Sequence, residues 1–141
     1  MNKQDTAEVR FKFRVWDILA KKMRSWREIF NFPAWEIFPG TPEQRAYEVM
    51  RYTGKEDMDG KEVYEGDIIK NDYPDHNAVL MEIKYGTYQA YCPVDKVFMD
   101  SVGFYAVAEG YPDMPIGTME GYAIVIGNIY ENPELLHKEV V

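Results

Sequence analysis

The sequence predicts a mainly β chain, β-rich α+β in class, arranged as a meander of short strands, and three observations lead there. Aromatic residues fill 15% of the 141 positions, with 11 Tyr, 7 Phe and 3 Trp, and such side chains suit half-buried pleated surfaces. Several short runs alternate apolar and polar residues, the period of a strand with one buried face. Gly, Pro, Asn and Asp bound those runs and supply the turns. A chain of this length buries a core without disulfides or a structural metal, so a single domain over 1–141 is expected. Within it, a basic segment, 1–46, precedes a β-rich acidic core, 47–141.

The clearest strand is 9–16, "VRFKFRVW", in which Val9, Phe11, Phe13 and Val15 form an inward face against Arg10, Lys12, Arg14 and Trp16. "DILAKKMRSW" reads as a turn or one short helix, and "WREIFNF" as a second strand. The three prolines of "NFPAWEIFPGTPEQRAY" exclude a long element, leaving an ordered loop. At its end Thr41, Pro42 and Gln44 have capping-box spacing, which predicts a helical turn near 42–46. "YEVMRYT" continues as a strand. Further short strands are "GDIIK", "AVLMEIKYG", "YQAYC", "GFYAVA" and "GYAIVIGNIY". Gly127, inside the last of them, marks a bulge or a close backbone approach. "EGYPDMPIGTMEGY" is expected to be the most mobile connection. In "NPELL", Asn132 as cap and Pro133 as first helical residue predict a turn of helix at 133–136.

The net charge of −8 argues against phosphate binding over the whole surface, but the charge is uneven. Through Trp35 the chain carries +4, and beyond it −12. The basic head either neutralises part of its own body or meets the acidic surface of another copy. Arg10, Lys12 and Arg14, followed by Trp16, also have the composition of a single-strand nucleic-acid binder, although a charged outer face is ordinary for an antiparallel sheet. Cys92 stands alone, which excludes an intrachain disulfide and a multi-cysteine zinc site. No apolar run approaches a membrane span, and "MNKQDTAEVR" does not read as a signal peptide, so a cytoplasmic protein is expected. Cys92 with His76 or His137 would need hydrogen-bond proximity to act as a nucleophile, and its aromatic strand suits a small buried side chain instead. Asp72, Asp75 and His76 lack paired-ligand spacing and read as a polar hairpin loop. No catalytic residue, metal or cofactor is expected.

"YTGKEDMDGKEVYEGDII", Tyr52 to Ile69, is the richest stretch. With Gly60 at the sixth position of a calcium loop, Asp57 and Asp59 fall at positions three and five. Lys55 then occupies the first ligand position, however, and Gly66 stands where the bidentate glutamate belongs. The stretch therefore reads as two turns. Asp59-Gly60 is a hairpin dipeptide in which Asp59 closes the turn with its side chain. Gly66 gives backbone freedom before "DIIK", and Asp67 bonds N–H groups at that bend.

That stretch, with "KFRVWD" and "KKM" before it and "VIGNIYENPELL" after it, resembles the YopX family of small phage and prophage proteins. The blocks stand in the family's order from Phe11 to Leu136; Lys55-Glu56 and Arg51 depart from its usual Leu-Lys and Gln. The resemblance implies a mainly β protein with an SH3-like roll or barrel in its later part. It also implies a homo-oligomer in the cytoplasm of a bacterial host, and no enzyme activity. Gly54, Asp59, Gly60, Gly66, Asp67 and Gly127 are the turn residues of the motif. The function expected is a non-catalytic accessory module that assembles with itself and binds a phage or host protein. The alternatives are an acidic mimic of DNA that occupies a host nucleic-acid-binding protein, and a nucleic-acid binder using the basic strand. Candidate interface residues are Arg10, Lys12, Arg14, Trp16, Trp26 and Trp35, the tryptophans because indoles are enriched among interface hot spots.

Overall fold

A computed structural model describes residues 11–71 and 79–136, the side chain of Pro42 excepted. The chain divides into two compact units, Met1–Gly54 and Lys55–Val141. The strands are all antiparallel and dominate both units.

In the first unit, β1 (Phe13–Asp17) pairs with β2 (Lys22–Arg24) on one side and β3 (Tyr47–Glu56) on the other, with Val15 opposite Arg24 and Val49. The predicted strand 9–16 thus starts at Phe13 and runs through Asp17; Val9 and Arg10 lie outside the described residues. Phe11, expected to face inward, is 67% exposed. The reason is the extent of pairing, because the β1–β3 register ends at Phe13 opposite Arg51. Alternation sets a side chain's direction, but burial needs an element facing it. Asp17 holds the β1–β2 turn: its Oδ1 accepts from the Ala20 N–H at 2.9 Å, and its Oδ2 from Arg24 Nη2 at 3.0 Å.

The second strand expected at "WREIFNF" is instead a helical turn, α1 (Trp26–Ile29). Ser25 Oγ accepts from the Glu28 N–H while Glu28 Oε1 accepts from the Ser25 N–H, a reciprocal capping box. The Ser-x-x-Glu spacing that starts this helix outweighs the local strand pattern. A second turn, α2 (Ala34–Ile37), and a 3-10 turn, Pro42–Gln44, occupy the proline-rich region. Val15, Ile29 and Ile37 form this unit's core, with Phe13, Trp26, Phe32, Tyr47 and Val49 packed against it. Edge-on ring contacts join Phe13 to Trp26 at 4.9 Å and to Phe38 at 5.5 Å.

The second unit contains β4 (Glu62–Tyr64), β5 (Asp67–Asn71), β6 (Leu80–Cys92), β7 (Val97–Val107), β8 (Met114–Pro115) and β9 (Ala123–Asn128). The spatial order β8-β7-β6-β5-β9 is a meander from β5 to β8, to which β9 returns on the far side of β5. "AVLMEIKYG" and "YQAYC", read from sequence as two strands, form the single strand β6. The core gathers Val63, Ile69, Met81, Ile83, Ala106, Ala108, Ile116, Met119 and Ala123. Ile116 and Met119 come from the Pro/Gly-rich connection, whose apolar residues thus serve as core. The last turn, Pro133–Leu135, follows Asn132, but that side chain does not cap it. Asn132 Oδ1 instead accepts from the Asn128 N–H at 3.2 Å.

Candidate functional site

β3 runs on past Gly54 (φ 81°) into the second unit, where residues 57–61 turn the chain into β4. Asp57 organises this corner. It is only 2% exposed, and its Oδ1 accepts from the N–H groups of Asp59 (2.9 Å) and Lys61 (2.8 Å). Its Oδ2 accepts from the Val125 N–H at 2.9 Å, across 68 residues of sequence. Burial alone would push this carboxyl up, but the N–H groups of Val125, Lys61 and Asp59 hold it below its ordinary value of 3.8. The closing role assigned to Asp59 therefore belongs to Asp57, while Asp59 is exposed. An Asp that accepts from the N–H two residues on is a recognisable turn former, and that signal was present in "DMDG".

The next bend repeats the device. Asp67, 1% exposed, accepts from the Tyr64 N–H at 2.7 Å. Gly66 has φ 84°, with its N–H donated to the Ile83 carbonyl and its own carbonyl accepting from the Ile129 N–H. Gly60 has φ 80°. At Gly127 the β5–β9 register shifts, Ile68 facing Gly127 and Ile69 facing Val125. A Cβ on Gly127 would lie 2.5 Å from Asn132 Oδ1, so the bulge and the close approach occur together. The Met58 N–H donates to the Ala123 carbonyl, adding to the bonds from Val125 and Ile129. The central and final sequence blocks are thus one hydrogen-bonded assembly, and of the two carboxylates that resembled a calcium loop Asp57 holds its peptide N–H groups.

The candidate interface residues separate in space. Arg10 lies outside the described residues. Lys12, Arg14 and Trp16 are half-buried, with Lys12 Nζ 4.9 Å above the Tyr52 ring. Trp26 packs on the core of the first unit, whereas Trp35 is 71% exposed. Phe30 and Phe38, also exposed, were not singled out from sequence. Cys92 is half-buried at the end of β6, its Sγ 3.9 Å from Asp95 Oδ2, where a buried position was expected. Asp72, Asp75, His76 and His137 fall outside the described residues. Among the described residues no three His, Cys, Asp or Glu side chains gather as a metal site, and no helix is long and apolar enough to cross a membrane.

These features define a small β-rich protein whose buried carboxylates Asp17, Asp57 and Asp67 are committed to turns, and which exposes several aromatic and aliphatic side chains. The profile of the YopX family, described as YopX protein, matches residues 12–137, and the chain belongs to that family. It is not a known family of enzymes. The chain is also similar to the crystal structure of protein EF1440 from Enterococcus faecalis, at 24% identity and a TM-score of 0.56. The alignment covers 90% of this chain and 98% of that one, and supports the fold. A comparison with curated proteins gives no match.

Proposed function

We propose that this chain is a non-catalytic accessory protein of a phage or prophage, acting in the bacterial cytoplasm as an interaction module that assembles with copies of itself. The observation that carries the reading is the aromatic surface of the first unit. Phe30, Trp35 and Phe38 are each more than half exposed, on or beside the two helical turns. Phe30 and Phe38 rest on inner rings, Trp26 and Phe13, so they are ordered before any partner arrives. Ordered aromatic anchors bind with less entropy loss than mobile ones. Lys12 and Arg14, half-buried, contribute to register and encounter more than to affinity. Light scattering at physiological salt tests the reading. A mass above the 16.5 kDa of one chain, reduced by Trp35→Ala, is expected. A mass of one chain throughout the micromolar range would sink self-assembly, and recovery with nuclease-sensitive material would favour a nucleic-acid partner.

A further inference from the structure

β6 and β7 stay paired from Glu82 opposite Val107 to Cys92 opposite Val97, but their neighbours do not follow them. β5 pairs with β6 only over Leu80–Glu82, and β8 with β7 only over Tyr105–Ala106. Beyond the facing pair Gly86 and Gly103, the hairpin is a two-stranded arm of about 20 Å, at roughly 3.4 Å per residue. Among the described residues no strand pairs with either outer edge of this arm. Its root is rigid, because the Tyr88 and Tyr105 rings stack at 4.7 Å across the glycine pair.

Apolar side chains stand on both faces of the arm, interrupted on one by the hydrogen-bonded pair Gln89 and Asp100 and joined on the other to the buried Tyr88. The register puts Tyr91, Phe98 and Val102 on one side, and Val97 and Met99 on the other, with Val94 at the tip. All six are exposed, Val94 by 87%, Val102 by 71% and Phe98 by 54%. Taking roughly 150–200 Å² for each side chain fully exposed, they present about 600 Å² in all, divided between the two faces and the tip. A two-stranded ribbon with unpaired edges and exposed apolar side chains is marginal by itself.

We infer that the β6–β7 arm is an assembly surface on which a second copy of this chain adds strand to strand. The inference rests on the proposed self-assembly and adds a second surface to the aromatic one of the first unit. Three features select a copy as the occupant. An antiparallel edge pairing is two-fold symmetric, so the same strand of another copy satisfies it. Joined edge to edge, the exposed apolar side chains of two arms become lateral neighbours on the shared sheet, adding side-chain contact to the main-chain pairing. A chain of charge −8 repels its copies, and residues 86–103, with Asp95, Asp100 and Lys96 as their only charged groups, form a low-charge stretch where two copies can approach.

The experiment combines light scattering of wild type and of the double variant Phe98→Lys/Val102→Lys with amide hydrogen exchange of wild type at two concentrations. Both substituted side chains point off one exposed face, so circular dichroism, and melting at concentrations where wild type is dissociated, should not change. The expected results are an oligomeric wild type, association weakened by about tenfold or more in the variant, and slower exchange in residues 87–91 at the higher wild-type concentration. An oligomeric wild type with unaltered arm exchange, or an equally oligomeric folded variant, overturns the arm as interface while leaving self-assembly standing. A wild type of single-chain mass overturns both. Should that monomer's arm become protected only on adding host lysate, the surface belongs to another protein and the inference fails.

Discussion

In the corner between β3 and β5 every oxygen of Asp57 accepts a peptide N–H, and the side chain is 2% exposed. In the arm beyond Gly86, a few strands away in the same unit, the backbone edges pair with no strand among the described residues, and Val102 is 71% exposed. Both are hairpins, yet one satisfies its polar groups internally and the other leaves them to water or a partner. Unsatisfied buried donors are costly, so a change in the corner falls on folding; exposed apolar groups contribute little to folding, so a change in the arm falls on association. Substitutions can break this contrast at either end.

The largest effect is expected at Asp57. Asp57→Ala leaves the N–H groups of Asp59, Lys61 and Val125 without their acceptor and should cost about 3 kcal/mol in urea unfolding. Phe98→Lys/Val102→Lys in the arm should change stability by no more than about 0.5 kcal/mol at concentrations where wild type is dissociated. If the two costs are equal, the division between a folding corner and a binding arm is wrong.

Gly66 and Gly60 sharpen the corner itself. Both have positive φ, so Gly66→Val and Gly60→Val should each cost about 1–3 kcal/mol. Gly66→Val should be the worse, since Gly66 is buried and bonded on both sides by Ile83 and Ile129. A Cβ on Gly60 meets open space, and only the backbone conformation opposes it. Glu56→Ala and Met58→Ala, at less buried positions, should stay within about 0.5 kcal/mol. Denaturant titration that ranked Glu56→Ala above both glycines would reopen the reading of the acidic stretch as a site.

The same contrast explains what the sequence made legible. Turn chemistry is local, so Gly60, Gly66, Asp67 and Gly127 could be placed from their neighbours. The bond from Val125 to Asp57 spans 68 residues, and no local pattern indicates which Asp of "DMDG" receives it. The strand reading of "WREIFNF" failed because the residue that decides it, Ser25, stands just before the run. The arm was hidden for a related reason. "YQAYCPVDKVFMDSV" reads as strand, turn and strand wherever it lies, and its exposure depends on how far β5 and β8 extend beside it. The tryptophans were equal candidates by composition, and only packing separates Trp26 in the core from Trp35 in solvent.

Among changes at Asp57 itself, the smaller effect expected is on the acid limb of stability. Burial opposes ionisation of Asp57, but the three N–H groups win and its folded pKa lies below the ordinary 3.8. A carboxyl with a depressed folded pKa contributes stability that is present above the unfolded value and is lost as pH falls through the folded one. Asp57→Asn keeps one acceptor oxygen and cannot titrate, so it should cost less than Asp57→Ala, about 1 kcal/mol near neutral pH. That gap should close as pH drops below 3.8, because wild type then loses what the variant never had. Val102→Ser in the arm should shift neither the position nor the slope of the acid limb. Urea midpoints at a series of pH values measure both, and a gap between wild type and Asp57→Asn that stays constant into strong acid would mean that the N–H groups hold the side chain by shape and not by its charge.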